Sequence, residues 1–476
     1  MNLLTNSVVK LQQRPFIANN FPKPSNALTA LLLICMIYTY ASKVTAESDD
    51  YLFSGDDTKG IEKITITASH SIEKWRLEAN QRINKFRKAD LTIKVVDKET
   101  GKPVTNADIT LKFKKHHFRF GGIISAPEFK NEAYKKLFLN MGFNASGFNN
   151  ALKYKLGKYF KKYKAENIIK WFRKNKIFVR GHCLVWPGDE KGSHLPQELA
   201  ELTTNYNNSP SDSLKKIISS ETIQMIRNGA SRWDVDEWDV INEPRGNHLI
   251  QDIVGNKIET EAEWFKCAAE NVKNKNITLY LNENRVISDP AKPDSAFTDK
   301  LKCYYDNLQA LLKAKAPVSG LGFQSRFAKL LPPETIIARL NAFNEFNLPI
   351  AATEMEMKKT IETEYDKALM TERVMTLYFS HPLVNGIYAW TILNLENGKF
   401  NRGLINPDYT PNLRGKIWLY LTKKLWTTNL NVKTDKNGIV KIRAFKGEYD
   451  LKAKDKSKKK SISLELEKDS IITVRI

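Results

Sequence analysis

From residue 118 onward the chain repeats one rhythm, in which a short apolar run is followed by a polar loop and then by an amphipathic stretch with helical spacing. The apolar runs fall at residues 118–124, 144–148, 177–186, 238–243, 277–283, 320–327, 348–357 and 384–392. Between them lie helical patterns such as SLKKIISSETIQMIRN and DKALMTERVMTLYF. Eight strand–helix units in a segment of this size match the alternation of a closed (β/α)8 barrel. A doubly wound sheet is the alternative, but it carries a Gly-rich phosphate loop after an early strand, and none is present. The expected fold is therefore α/β, a (β/α)8 TIM barrel over residues 118–427 with a small flanking β-domain built from N- and C-terminal strands.

The flanks read differently. Residues 47–117 form an N-terminal extension with a helix expected near 72–88, followed by two strands. In these Leu91, Ile93 and Val95 alternate with polar residues, Gly101-Lys102-Pro103 turns, and Ile109, Leu111 and Phe113 alternate again. His116-His117 reads as a solvated strand end. Residues 428–476 alternate in the same way at Val440 and Ile442, Tyr449 and Leu451, Ile462 to Leu466, and Ile472 to Ile476. Asn437-Gly438 reads there as a hairpin turn. Both β segments are expected to pack as one unit beside the barrel.

Residues 27–41, ALTALLLICMIYTYA, are preceded only by positive charge and followed by Val44-Thr45-Ala46 before Glu47. That order matches a secretory signal over residues 1–46. The run is short for a spanning helix, which takes ~20 apolar residues, and its long leading segment leaves an uncleaved signal anchor as the alternative. The remainder is expected to be secreted, without membrane contact in the mature form. The formal net charge of +22 suits nucleic acid, acidic lipid or acidic polysaccharide. Lysines are spread over the whole length and form no basic arm with interleaved aromatics, so no nucleic-acid partner is expected.

Cys35 lies in the signal, which leaves Cys183, Cys267 and Cys303. Cys183 reads as core; Cys267 and Cys303 fall on successive expected helices and are able to pair, with three connectivities open. No CxxC or HxH spacing points to a metal. Asn276-Ile277-Thr278 is a glycosylation acceptor if the chain passes a eukaryotic secretory route. Asn144-Ala145-Ser146 fits the same pattern but falls in an expected strand.

In a barrel the reactive groups sit at the C-terminal ends of strands. WDVINEP ends a strand in Glu243, and LPIAATEMEM delivers Glu354 after six uncharged residues. A lone glutamate at such a place is more commonly a strand-terminating salt bridge. Two of them across one barrel mouth are what glycoside hydrolysis requires, an acid and a nucleophile ~5–5.5 Å apart in retaining enzymes.

The series RGHCLVW, WDVINEP, GFQSRF and ATEMEM, together with GFNASGFNNALKY, resembles in order and spacing the signature of glycoside hydrolase family 10, the endo-1,4-β-xylanase family. The resemblance spans roughly residues 118–425. It implies Glu243 as acid/base and Glu354 as nucleophile, with Asn242 on the sugar 2-hydroxyl. It further implies Asn150, Lys153, His182 and Gln324 as polar sugar-binding positions and Trp186 and Trp390 as aromatic walls. Taken singly, His182 would be a core histidine, the two tryptophans core filler and Lys153 a solvated charge; the shared register sets them apart.

Three departures stand out. Pro187 occupies the place of a second histidine, and Asn149 that of a glutamate. Arg326 stands where a histidine contacts the nucleophile, and such a cation would stabilise the ionised carboxylate yet could tie it into an ion pair that blunts attack. The resemblance implies an endo-acting retaining xylanase, cleaving xylan or a related β-1,4-glycan as a monomer and without a cofactor. Catalytically weakened or inactive polysaccharide binding, and action on another β-1,4-glycan, are the alternatives.

Overall fold

The computed structural model describes residues 59–70, 72–154, 164–395 and 401–476. The expected signal or anchor at residues 1–46 lies outside them. Among the described residues no helix is long and apolar enough to cross a membrane.

All eight expected barrel strands form. They are β3 (Arg119–Ile124), β4 (Ala145–Phe148), β5 (Phe178–Val185), β6 (Glu237–Asn242), β7 (Thr278–Glu283), β8 (Gly320–Phe323), β10 (Ile350–Met357) and β11 (Val384–Ala389). Each pairs in parallel with the next, and β11 returns to β3, which closes the barrel. A two-residue strand β9 (Arg326–Phe327) adds to the far end of β10. Helices wrap the outside, and their apolar faces bury Trp238, Leu279, Leu281 and Phe323 from the outward side of the strands.

The inside of the barrel packs Ile123, Ala145, Tyr280, Ala351 and Tyr388 into a small cluster. Gly121 is required beside it, because a Cβ there would stand 2.3 Å from the Tyr388 ring. Below this cluster the interior is charged. Arg180 donates to Glu237 at 2.6 Å and also to Asp239, while Arg119 and the Tyr388 hydroxyl hold Glu237 at 2.8 and 2.7 Å. Burial works against charge on Arg180, but the carboxylates of Asp239 and Glu237 more than offset it.

The flanking strands make a two-layer β unit. One sheet runs β13 (Ile439–Phe445), β1 (Lys88–Val96), β16 (Ser470–Arg475). The other runs β12 (Leu430–Lys433), β2 (Asp108–His116), β14 (Gly447–Asp455), β15 (Lys458–Leu466). Leu91, Ile93, Val95, Ile109, Leu111, Tyr449 and Leu451 fill the space between them, the same residues whose alternation is visible in the sequence. Lys458, Lys459 and Lys460 lie on β15, an edge strand, where charge discourages pairing with other chains. An N-terminal helix, Lys74–Phe86, docks on the barrel through Arg76, whose Nη2 lies 2.7 Å from Glu372 Oε2 on helix Glu364–Ser380.

Several expectations are corrected. Asn437-Gly438 does turn, with Gly438 at φ +70, but it makes no hairpin. Its flanking strands belong to different sheets, β12 pairing with β2 and β13 with β1, so the turn carries the chain from one layer to the other. His116 is buried, with Nε2 2.7 Å from the Thr422 carbonyl and its ring among Phe113, Phe120 and Phe379. A sequence pattern does not reveal that the β unit covers this strand end. Cys267 and Cys303 are both free thiols, Cys267 buried and Cys303 exposed, while Cys183 is buried as expected. A helix at Glu62–His70 was not anticipated. Asn144 is buried and donates to the His116 and Phe118 carbonyls at 2.8 Å, whereas Asn276 is exposed.

The strands of residues 428–476 pair with β1 and β2 from the other side of the barrel sequence, so they have no complete sheet of their own. Cleavage of the chain between Thr434 and Gly438 is therefore expected to leave both pieces associated on size-exclusion chromatography. A released, independently folded tail would contradict this arrangement.

Candidate active site

The C-terminal mouth of the barrel collects all ten residues singled out by sequence. Three strand irregularities aim them. Register shifts interrupt β5 after His182, β6 after Asp239 and β10 after Ala352, and such bulges re-aim side chains next to active sites. On β6 the shift pairs Asn242 with Asn282, and both amides turn inward. The expected strand 320–327 breaks at Ser325, at φ +58, whose hydroxyl is held 2.7 Å from Tyr378 Oη. The break lets Gln324 and Arg326 both reach the mouth.

Glu243 sits just past β6 in the left-handed region, φ +56, and its N–H donates to the Asn282 carbonyl at 2.8 Å. For a non-glycine residue this conformation costs on the order of 1 kcal/mol and persists only where the surroundings hold it. The Gln324 amide donates to Glu243 Oε1, and Asn247 Nδ2 lies 3.3 Å from Oε2. Burial, and then the charge of Glu354, push the Glu243 carboxyl above the ordinary glutamate range. The same Gln324 accepts the Glu354 N–H at its backbone carbonyl, 3.1 Å, so one residue positions both glutamates.

Glu354 is 2% exposed. Its Oε2 accepts from Arg326 Nε at 3.0 Å and from Arg326 Nη2. Its Oε1 accepts from Asn282 Nδ2 at 3.2 Å, with His182 Nε2 at 4.0 Å. Asn282 also donates to Asn242 Oδ1 at 2.8 Å and accepts from Thr353 Oγ1 at 2.7 Å. His182 places Nδ1 2.8 Å from Asp239 Oδ2. Burial first, and then the neighbouring Lys153, hold its pKa well below the histidine range. Burial thus favours the neutral ring, and an Nδ1–H donating to Asp239 would leave Nε2 as an acceptor facing the mouth.

The remaining predicted positions line the other side. Lys153 Nζ lies over the rings of Trp186 and Trp390, 4.7 and 5.8 Å from their centroids, and 3.5 Å from Asn150 Oδ1. Burial lowers its pKa. Trp186 stacks on His194 at 3.7 Å, and Trp390 packs edge-on against His182 at 5.5 Å and beneath the Arg326 guanidinium at 4.7 Å. The mouth thus combines two carboxyls, amide donors and two indole faces.

Sequence reasoning missed Asn282, Glu283 and Glu356. The first two end the run at residues 277–283, where a strand-end position was itself a signal; Glu356 lies in the same ATEMEM motif as Glu354. Arg180 and Asp239, which hold His182, carry no signal outside the fold.

A closed (β/α)8 barrel with paired carboxyls and amide and indole walls at its C-terminal mouth is the class that this fold and site define. The family profile described as "Glycosyl hydrolase family 10" matches residues 109–397, and the chain belongs to that family. It is 27% identical over 371 residues to an Arabidopsis thaliana protein named endo-1,4-beta-xylanase 1, covering 77% of this chain and 36% of that one. It is 26% identical over 383 residues to the anti-sigma-I factor RsgI6 of Acetivibrio thermocellus, covering 79% and 46%. The chain thus spans less than half the length of these two curated relatives. The crystal structure of native xylanase 10B from Thermotoga maritima shares the fold, with a TM-score of 0.53 and 19% identity, covering 65% of this chain and 96% of that one.

Glu283, 1% exposed, accepts the Arg245 N–H at 3.1 Å, and burial pushes its carboxyl up to about 7 although Arg245 opposes the shift. A carboxyl raised on folding contributes stability that is complete below its unfolded pKa, about 4.3, and is lost as pH rises through the folded value. Glu283→Gln is therefore expected to flatten the loss of stability between about pH 4.5 and 7, by up to about 3 kcal/mol. Urea denaturation at pH 5 and pH 8 checks this; equal pH dependence in both proteins would refute it.

Proposed function

We propose that the protein is an endo-acting, retaining β-glycanase that hydrolyses β-1,4-xylan. The observation that carries this reading is the shared frame of Glu243 and Glu354, both bound by Gln324 and bridged to Asn242 through Asn282. The family membership and the relatives named xylanases support xylan as the substrate. In this mechanism Glu243, whose protonated form is favoured by burial and by the charge of Glu354, gives its proton to the glycosidic oxygen as that bond breaks. Glu354 attacks the anomeric carbon and forms a glycosyl-enzyme. Glu243, now a carboxylate, takes a proton from water, which displaces Glu354 with a second inversion. Asn242 meets the 2-hydroxyl, and Trp186 and Trp390 carry the pyranose faces. The apolar segment at residues 27–41 supports action outside the cytosol.

One observation favours a second reading. Arg326 occupies Glu354 Oε2, and a nucleophile held in that ion pair would leave a cleft that binds glycan without cleaving it.

On xylan, Glu243→Gln is expected to lower kcat by roughly a hundred- to ten-thousand-fold, and Glu354→Ala to abolish turnover, with products of the parent protein first appearing as the β-anomer by proton NMR. Binding of xylan without turnover by the parent protein would establish the second reading instead.

A further inference from the structure

Beside the two carboxyls the mouth carries a group of cations that cleavage of a neutral sugar chain does not require. Arg326 Nη1 lies 3.3 Å from Glu356 Oε1, and Arg402 Nη1 lies 3.0 Å from the same oxygen. One carboxylate oxygen thus serves two guanidinium groups, while the other oxygen accepts from Thr391 Oγ1 at 3.2 Å. Lys358 directly follows β10, its N–H bound to the carbonyl of Phe327, the residue after Arg326, at 2.8 Å. Burial depresses its ammonium pKa first, followed by the charges of Arg326, Arg285 and Arg402, with Glu356 as the opposing carboxylate. Among the described residues Glu354, already engaged by Arg326, and Glu243 are the other acids that act on this guanidinium. Glu356 and Glu354 offset the two guanidinium charges, and the further ammonium of Lys358 in this partly dry mouth favours an additional anion beside it.

The position of Arg326 says what kind of anion. Its guanidinium lies over the Trp390 ring at 4.7 Å, so it borders an apolar platform suited to a sugar ring. It is 23% exposed at the side chain, open enough to meet a ligand. The planar fork of an arginine matches carboxylate and oxyanion geometry and can exchange one such partner for another.

We propose that the cleft takes a negatively charged β-glycan, whose carboxylate or sulfate group binds among Arg326, Arg402 and Lys358 and draws Arg326 away from Glu354. This rests on the glycanase reading above and adds the substrate class to it. A neutral chain leaves Arg326 on Glu354 Oε2; a charged chain supplies the competing oxyanion and frees that oxygen for attack on the anomeric carbon. The ion pair then acts as a selectivity device, with the substrate's own charge releasing the nucleophile.

The test compares kcat/KM on uronic-acid-substituted xylan, on the same polymer after carboxyl reduction, and on a sulfated xylan, at low and high salt. At least tenfold preference for one charged polymer is expected, shrinking with salt, and the preferred polymer identifies carboxylate or sulfate as the anion. Lys358→Gln is expected to remove most of the preference while leaving the rate on the neutral polymer unchanged, and Lys358→Met serves if that variant fails to fold. Arg326→His is expected to raise the rate on the neutral polymer toward that on the charged one. Equal kcat/KM on charged and neutral polymers, or a preference untouched by Lys358→Gln, would overturn the proposal. If nothing is cleaved, the glycanase reading fails by itself. Calorimetric titration of the parent protein with charged and neutral xylo-oligosaccharides then decides the inference, equal affinities counting against it.

Discussion

A charged network inside the barrel underlies the rest of the structure. Arg180 is 1% exposed, and a guanidinium so buried is tolerable only with opposing charge beside it. Glu237 and Asp239 supply that charge from the adjacent strand, and Arg119 and Tyr388 hold Glu237 from strands β3 and β11. Strands from both sides of the barrel closure are therefore joined through one carboxylate. The same network reaches upward, because the second oxygen of Asp239 fixes His182 Nδ1, and His182 Nε2 faces Glu354. Removing one partner would leave an uncompensated buried charge, which costs on the order of 3–5 kcal/mol. The orientation of His182 in the site is thus tied to the closure of the barrel floor.

Above this floor the site depends on departures from regular strands. In an ideal strand successive side chains alternate, and Asn242 would point away from the barrel axis if Asp239 points toward it through an unbroken register. The shift on β6 removes that conflict and aligns Asn242 with Asn282. Glu243 then turns at positive φ, and Ser325 does so on the neighbouring wall. These backbone costs are offset by the hydrogen bonds that gather Glu243, Gln324, Asn282 and Glu354 into one frame.

This division explains what was legible in the sequence. The eight strands were visible because strands covered on both faces are apolar throughout, and the β unit was visible because its two layers leave one face of each strand to solvent. Glu243 and Glu354 were visible because each ends an apolar run. The frame that aims them was not, since a bulge or a positive φ at Ser325 leaves no pattern in residue polarity. Asn282 and Arg180 read as ordinary interruptions of a strand until its partners are known. The burial of His116 and the change of sheet at Gly438 were hidden for the same reason: both depend on which layer covers a given strand end, a tertiary fact.

Arg326 is where local chemistry and family pattern pull apart. A histidine at that point is neutral or charged according to its surroundings and donates at most one hydrogen bond from each nitrogen. An arginine keeps its charge at any working pH and brings two donors to a single carboxylate oxygen. With Glu354 buried and Asn282 on its other oxygen, both of its oxygens are engaged before any sugar arrives. Catalysis gains only from interactions that are stronger in the transition state than in the ground state, and this pair is strongest in the ground state. An anion near Arg402 and Lys358 reverses that balance, because the guanidinium then has somewhere else to place its charge as negative charge leaves Glu354 for the new bond.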